Sequence, residues 1–324
     1  MKIAVRLEGG LGDHILGMRL LKFIQRRYPH AKIIVYSDSN GAESQTNIAK
    51  LSPYVADVIP VYRDAKRLTH DRMWQLDNIL PHDLSIMRQA DLFFDAAIWT
   101  YFIPQATLLD VPFYSILASR PALRLSQVER DKALRTLGGT GRKYVAMNLS
   151  KYGEPFLRLH HQKLRELLLT LLRDPRVHIL NIFRTSADFE HWPEPQRTQR
   201  RRVAAVEKGF LEEICTWDKR ILAITDRPIE SVATMMSISQ YYIGVDNGLK
   251  HLAWALGIPH TLILARRPAF DSGNIADFSF VLHWMPDFHR GMCLNNESEF
   301  HNHLEVAMKY LNCRRRSEWQ HETP

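Results

Sequence analysis

The sequence predicts an α/β protein made of two doubly wound parallel sheets, one in each half of the chain. Three observations carry this prediction. A short apolar strand, a glycine-rich turn, an amphipathic helix and a second strand follow one another within residues 2–37, the order of a βαβ unit. The alternation restarts after "LGGTGRK" (137–143), whose three glycines and two basic residues make it the best linker candidate. The second half then closes on another strand, turn, helix and strand, "YYIGVDNGLKHLAWALGIPHTLIL" (241–264).

The elements follow in order. Lys2–Leu7 alternates and is rich in β-formers. From His14 to Arg27, Ile15, Leu16, Met18, Leu20, Leu21, Phe23 and Ile24 make a helical face. Arg26-Arg27 and then Tyr28-Pro29 end that helix. "AKIIVYS" (31–37) is a second strand, and "ADVIPVYR" (56–63) and "ADLFFDAAI" (90–98) add short apolar segments with helical material between them. Residues 100–122 are apolar and aromatic with three prolines, either a core helix plus loop or an apolar lip facing lipid or sugar. Beyond the linker come the strand "KYVAMNLS" (143–150), the helix "LRLHHQKLRELLLTLLRD" (157–174) and the strand "RVHILNIF" (176–183). A helix within "TQRRRVAAVEKGFLEEICTW" (198–217), the strand "RILAI" (220–224) and a helix through "PIESVATMMSIS" (228–239) lead into the closing block.

The 324 residues, 45% hydrophobic and 24% charged, suit two domains of ordinary size. A net charge of +8 favours anionic partners: nucleotides, phosphorylated glycans, nucleic acid or an anionic membrane face. Cys215, Cys293 and Cys313 have no CxxC or Cys/His zinc spacing, which argues against a disulfide scaffold and a structural zinc. A reducing, cytoplasmic setting is the expectation. No apolar run is long enough to span a bilayer and none near Met1 resembles a signal segment, so any membrane contact is peripheral, at the inner face.

Two stretches carry candidate chemistry. In "RLEGGLGDHILGM" (6–18), Asp13 is either the N-cap of the first helix or a carboxylate at the carboxyl end of a first parallel strand, where α/β enzymes keep their chemistry. In the closing block, Gly248 lets backbone approach a ligand closely, and a helix N-terminus there suits a diphosphate. Asp246 suits the hydroxyls of a sugar or ribose, and Lys250 and His251 sit in the first turn. The plainer readings make Asp246 a cap, His251 a core or capping group and Lys250 a solvated cation.

"GGLGDHILGMRLLKFIQRRYPHAKIIV" (9–35) taken with "GVDNGLKHLAWALGIPHTLIL" (244–264) resembles the lipopolysaccharide heptosyltransferase family of GT-B glycosyltransferases. The resemblance implies two Rossmann-like domains facing a central cleft, 1–140 on the acceptor side and 141–324 binding the nucleotide sugar. A C-terminal helix, roughly 297–311, is expected to pack back on the first domain. It implies an inverting, metal-independent transfer of a sugar from a nucleotide-diphosphate donor to a hydroxyl of a saccharide or glycolipid, with no cofactor. Asp13 matches the general base. Gly12, Asp246, Asn247, Gly248, Leu249, Lys250 and His251 match the donor side, with Asn247 where the family has Ser or Thr. The loop "NLSKYGEPFLRLHHQKL" (148–164) lacks the family's Lys-Arg-Trp-Pro run, so Lys151 or Arg158 is the substitute cation. Three other functions stay open. One is transfer to a protein or modified nucleic acid, and another is epimerisation or hydrolysis of a nucleotide sugar. The third is nucleic-acid binding without catalysis through "RTQRRRV" (197–203) and "NCRRRSEW" (312–319).

Overall fold

A computed structural model of the chain describes residues 1–38, 42–62, 79–96, 102–150, 161–184, 196–245, 247–258, 260–265 and 289–293. It divides into two compact units, Met1–Leu125 with Pro228–Glu230, and Ser126–Arg227 with Ser231–Pro324. The expected helix at 297–311 lies outside the described residues.

In the first unit, β1 (Lys2–Glu8), β2 (Lys32–Asp38), β3 (Asp57–Val61) and β4 (Leu92–Asp95) form a parallel sheet in the order β3-β2-β1-β4. From Ile3 onward β1 is buried without interruption, as a strand covered on both faces must be. The expected first helix is three pieces: α1 (Leu11–Gly17), a 3-10 turn (Met18–Leu20) and α2 (Leu21–Arg27). It also begins three residues earlier than the apolar spacing indicates. Gly17 lies so close to the sheet that a Cβ there would meet Leu7 Cδ2 at 2.7 Å and the Ala96 carbonyl at 3.2 Å. α3 (Glu43–Lys50) and α4 (Pro81–Arg88) connect the strands, and Ala4, Ile34, Tyr36, Val61, Ile79 and Met87 make one core cluster.

The proline-rich segment becomes two short helices, α5 (Ile103–Leu109) and α6 (Phe113–Leu117). Ala106, Leu109 and Ile116 are buried, while Ile103, Leu108, Phe113 and Tyr114 are exposed. The segment is therefore part core and part apolar surface.

The second unit holds α7 (Gln127–Leu137), whose N-cap Ser126 accepts from the Glu129 N–H, and a six-stranded parallel sheet. Its strands are β5 (Lys143–Asn148), β6 (Val177–Phe183), β7 (Ile221–Thr225), β8 (Tyr241–Gly244), β9 (His260–Ala265) and β10 (His289–Cys293). They run in the order β10-β9-β8-β5-β6-β7. Helices α8 (His161–Leu171), α9 (Gln196–Cys215), α10 (Ile229–Ser237) and α11 (Gly248–Ala255) alternate with them. Val145, Leu164, Leu168, Ile179, Phe210 and Ile243 anchor the core. Five of the six strands are legible as apolar runs. β10, "HRGMC", is strand only because it pairs with β9 from His289↔Thr261 to Cys293↔Ala265.

Candidate functional site

Strand order locates one crevice in each unit. In the first sheet the chain runs outward from β1 to β3 and then returns to β4 on the other flank of β1. In the second it runs from β5 to β7 and returns to β8 on the other flank of β5. Open α/β sheets bind ligands at such reversals, beyond the carboxyl ends of the strands. The glycine turn with Asp13 follows β1, and the Asn247–Gly248 turn follows β8, so each sequence motif stands at its reversal.

Asp13 is not the N-cap. Gly10 occupies that position, and Asp13 stands at the third residue of α1 with its Oδ2 accepting the Gly10 N–H at 2.8 Å. This is the reciprocal half of a capping box, where an acidic side chain reaches back to the cap backbone. The glycines make room for it. Gly9 has φ +86°, and a Cβ there would sit 2.5 Å from Asp13 Oδ2. Only glycine meets both demands. The Asp13 side chain and Gly12 are half-buried.

A charge cluster that the sequence reading missed lies at the same strand ends. Arg6, fully buried in β1, donates through Nε to Asp38 at 2.8 Å, through Nη1 to Asp95 at 3.0 Å and through Nη2 to Glu8 at 2.6 Å. Burial opposes the guanidinium charge, but attraction from Asp95, Asp38 and Glu8 outweighs it and raises Arg6 above its ordinary value. In-register pairing sets Glu8 beside Asp38 and Arg6 beside Asp95. The signal was available: Arg6 and Glu8 share a face of β1 at i and i+2, and two later strands end in aspartate. The Gly9 N–H donates to the Asp38 carbonyl at 3.2 Å, tying the turn to the cluster.

In the second unit the cap of α11 is Asn247. Its Oδ1 accepts the Leu249 N–H at 3.0 Å. Its Nδ2 donates to Asn148 Oδ1 and, at 2.8 Å, to the Ser150 carbonyl. Asn148, at the end of β5, in turn donates to the Ile182 carbonyl. One side chain thus caps α11 and bridges the β5 and β8 ends. Asn148 was missed because it reads as the polar end of a strand.

The Leu249 N–H is taken by the cap, and the Lys250 N–H points to the Asn247 carbonyl at 3.2 Å. The Gly248 N–H makes no hydrogen bond among the described residues. Gly248 and Leu249 are half-buried. Lys250 is fully buried and His251 nearly so, which corrects the reading of Lys250 as a solvated cation. Asp246, Lys151 and Arg158 lie outside the described residues, as do the side chains of Arg197, Gln199 and Arg200 in the basic run 197–203 and all of 312–319, while Arg201 and Arg202 are exposed. Among the described residues no group of His, Cys, Asp and Glu is arranged to hold a metal ion, and no helix is long and apolar enough to cross a membrane.

The two units are those of a GT-B architecture, the heptosyltransferase-like α/β fold. The chain is similar over 96% of its length to ADP-heptose lipopolysaccharide heptosyltransferase II of E. coli, covering 98% of that chain at 15% identity with a TM-score of 0.60. It is similar over 98% of its length to a family 9 glycosyl transferase from Veillonella parvula, covering 91% of that chain (12% identity, TM-score 0.55). A third likeness is to E. coli heptosyltransferase WaaC solved with ADP, over 96% of this chain and 99% of that one (14% identity, TM-score 0.51). No protein-family model and no curated protein matches the chain by sequence.

Proposed function

We propose that this chain is a glycosyltransferase that moves a sugar from a nucleotide-diphosphate donor to a hydroxyl of a saccharide or glycolipid acceptor, with inversion and without a metal ion. The first unit serves the acceptor and the second the donor. The acceptor oxygen attacks the anomeric carbon as Asp13 takes its proton. The bond from that carbon to the diphosphate breaks, and the diphosphate leaves with the electron pair. The Gly248 N–H and the positive end of α11 meet the leaving group, with Lys250 in the same first turn. His251, Asp246, and Lys151 or Arg158 complete this donor side. The observation that carries the reading is the Asp13 carboxylate, cradled by Gly9 and held by the Gly10 N–H at the carboxyl end of β1.

The test is Asp13→Asn. The amide oxygen still accepts the Gly10 N–H, so fold and donor affinity should change little. Turnover, read as nucleoside diphosphate released from the sugar nucleotide that most stabilises the chain, should fall by about 10²–10⁴-fold. A variant that keeps most of its rate would overturn the assignment.

The acceptor's lipid portion gives the apolar surface of α5 and α6 a use. We infer that it rests on an anionic membrane face. Supporting this, Ile103, Leu108, Phe113 and Tyr114 are exposed, Asp110 is the one charged residue between 102 and 119, and α5 packs on α2, which ends in the exposed Arg26 and Arg27.

A further inference from the structure

His14 follows Asp13 in the chain and takes no part in the mechanism above. It is fully buried. Its Nδ1 lies 3.2 Å from the Gly10 carbonyl and its Nε2 lies 2.9 Å from Ser37 Oγ. A carbonyl only accepts, so Nδ1 carries the proton and Nε2 takes the Ser37 hydroxyl hydrogen. The Gly10 carbonyl also accepts the His14 backbone N–H at 3.1 Å, while the Gly10 N–H donates to Asp13. Gly10 thus receives two hydrogen bonds from His14 on one side and gives one to Asp13 on the other. As a cap, Gly10 has no side chain to fix its own orientation.

We propose that His14 is a positioning residue, locked by Ser37 in its Nδ1–H form, that holds Gly10 so that the Gly10 N–H fixes and favours the ionised Asp13 carboxylate. The role rests on Asp13 being the general base. Burial pushes the His14 ring down to about 4 against the opposing pull of hydrogen bonds to the Gly10 and Glu8 carbonyls, and Arg6 adds a smaller push downward, so the ring stays neutral at working pH. Thr46 Oγ1 lies 3.4 Å from both Ser37 Oγ and the Ala42 carbonyl.

Two measurements on the full chain test this. Ring ¹⁵N shifts should report the Nδ1–H tautomer of His14, unchanged from pH 5 to 8; the Nε2–H form would overturn the proposal. Turnover, KM and pH profile are then compared using the most stabilising sugar nucleotide, ADP-heptose first, with water as acceptor. His14→Leu should lower kcat about tenfold with donor KM little changed, and move the acidic limb up by about one pH unit, since the carboxylate loses a well-held donor. His14→Asn, which keeps an N–H near the Nδ1 position, should recover most of both. Arg6, Glu8, Asp38 and Asp95, the charges at the same strand ends, are unchanged in each variant. Should His14→Leu fail to fold, Ser37→Ala carries the test, and the same limb should move. A folded His14→Leu, or a Ser37→Ala standing in for it, with wild-type kcat and limb would overturn the role of His14 alone, provided Asp13→Asn is slow. An Asp13→Asn variant at full rate would overturn the base itself.

Discussion

At the residue scale, burial of a neutral imidazole has a consequence independent of catalysis. The folded chain holds His14 at about 4, against an ordinary 6.5. Between those values the unfolded chain binds the extra proton, so stability rises with pH through this window. The contribution is fully present above about 6.5 and is lost as pH falls through about 4, an amount of roughly 3 kcal/mol. Asp174 also loses its contribution in acid, but in a lower window. Hydrogen bonds from Arg176 and Lys143 hold it well below the carboxylate range, so its loss begins only below its ordinary 3.8. Urea melts from pH 7 to 4 should show the drop, and His14→Asn should flatten it. An unchanged slope in that variant would place the titration elsewhere.

Among elements, α11 depends on its cap more than its length suggests. Asn247 closes the first turn and ties it to Asn148 and Ser150 at the end of β5. Asn247→Ala removes a cap worth about 1 kcal/mol and a half-buried bridge of similar worth. Denaturation should show the second unit less stable by roughly 1–2 kcal/mol, with weaker donor binding. Asn247→Ser, which keeps the cap without the bridge, should fall between. A fully stable alanine variant would mean that the β5 and β8 ends hold α11 without it. The α5 and α6 pair makes a different claim. Leu108→Ser with Phe113→Ser should cut flotation with anionic vesicles at least about tenfold, since each loses some 1.5–3 kcal/mol of apolar transfer. Melting should not change, because both side chains are exposed. Equal flotation of the double variant would remove the membrane contact.

For the whole molecule, the donor assignment is best tested by which ligand stabilises the native chain. A panel of ADP-, GDP-, UDP- and CMP-sugars should contain one class that raises the melting temperature, since ligand at 100 times its Kd adds about 2.7 kcal/mol. No response from any class would argue for a binding module. Transfer from the responding donor should survive a strong chelator if, as proposed, the Gly248 N–H and the positive end of α11 take the place of a metal at the diphosphate. Loss in chelator and recovery with magnesium or manganese would overturn the metal-free reading.

The sequence alone determined the alternation of strands and helices in both halves, because apolar periodicity is local and a buried parallel strand is apolar throughout. It also determined where the two special turns fall, since glycine with aspartate or asparagine directly after a strand marks a turn whatever lies around it. What it could not contain is which strands become neighbours. Strand order set the two reversals beside β1 and β5, brought Asp38 and Asp95 from distant segments onto Arg6, and turned "HRGMC" into an edge strand. Local preference placed caps on Asp13 and Asp246, yet the caps are Gly10 and Asn247. Asn247 holds α11 by reaching Asn148, 99 residues away, and Asp13 reaches back to Gly10 only because Gly9 leaves the space. Hydrogen-bond partners across a sheet are chosen by packing, and packing is decided by the folded chain as a whole.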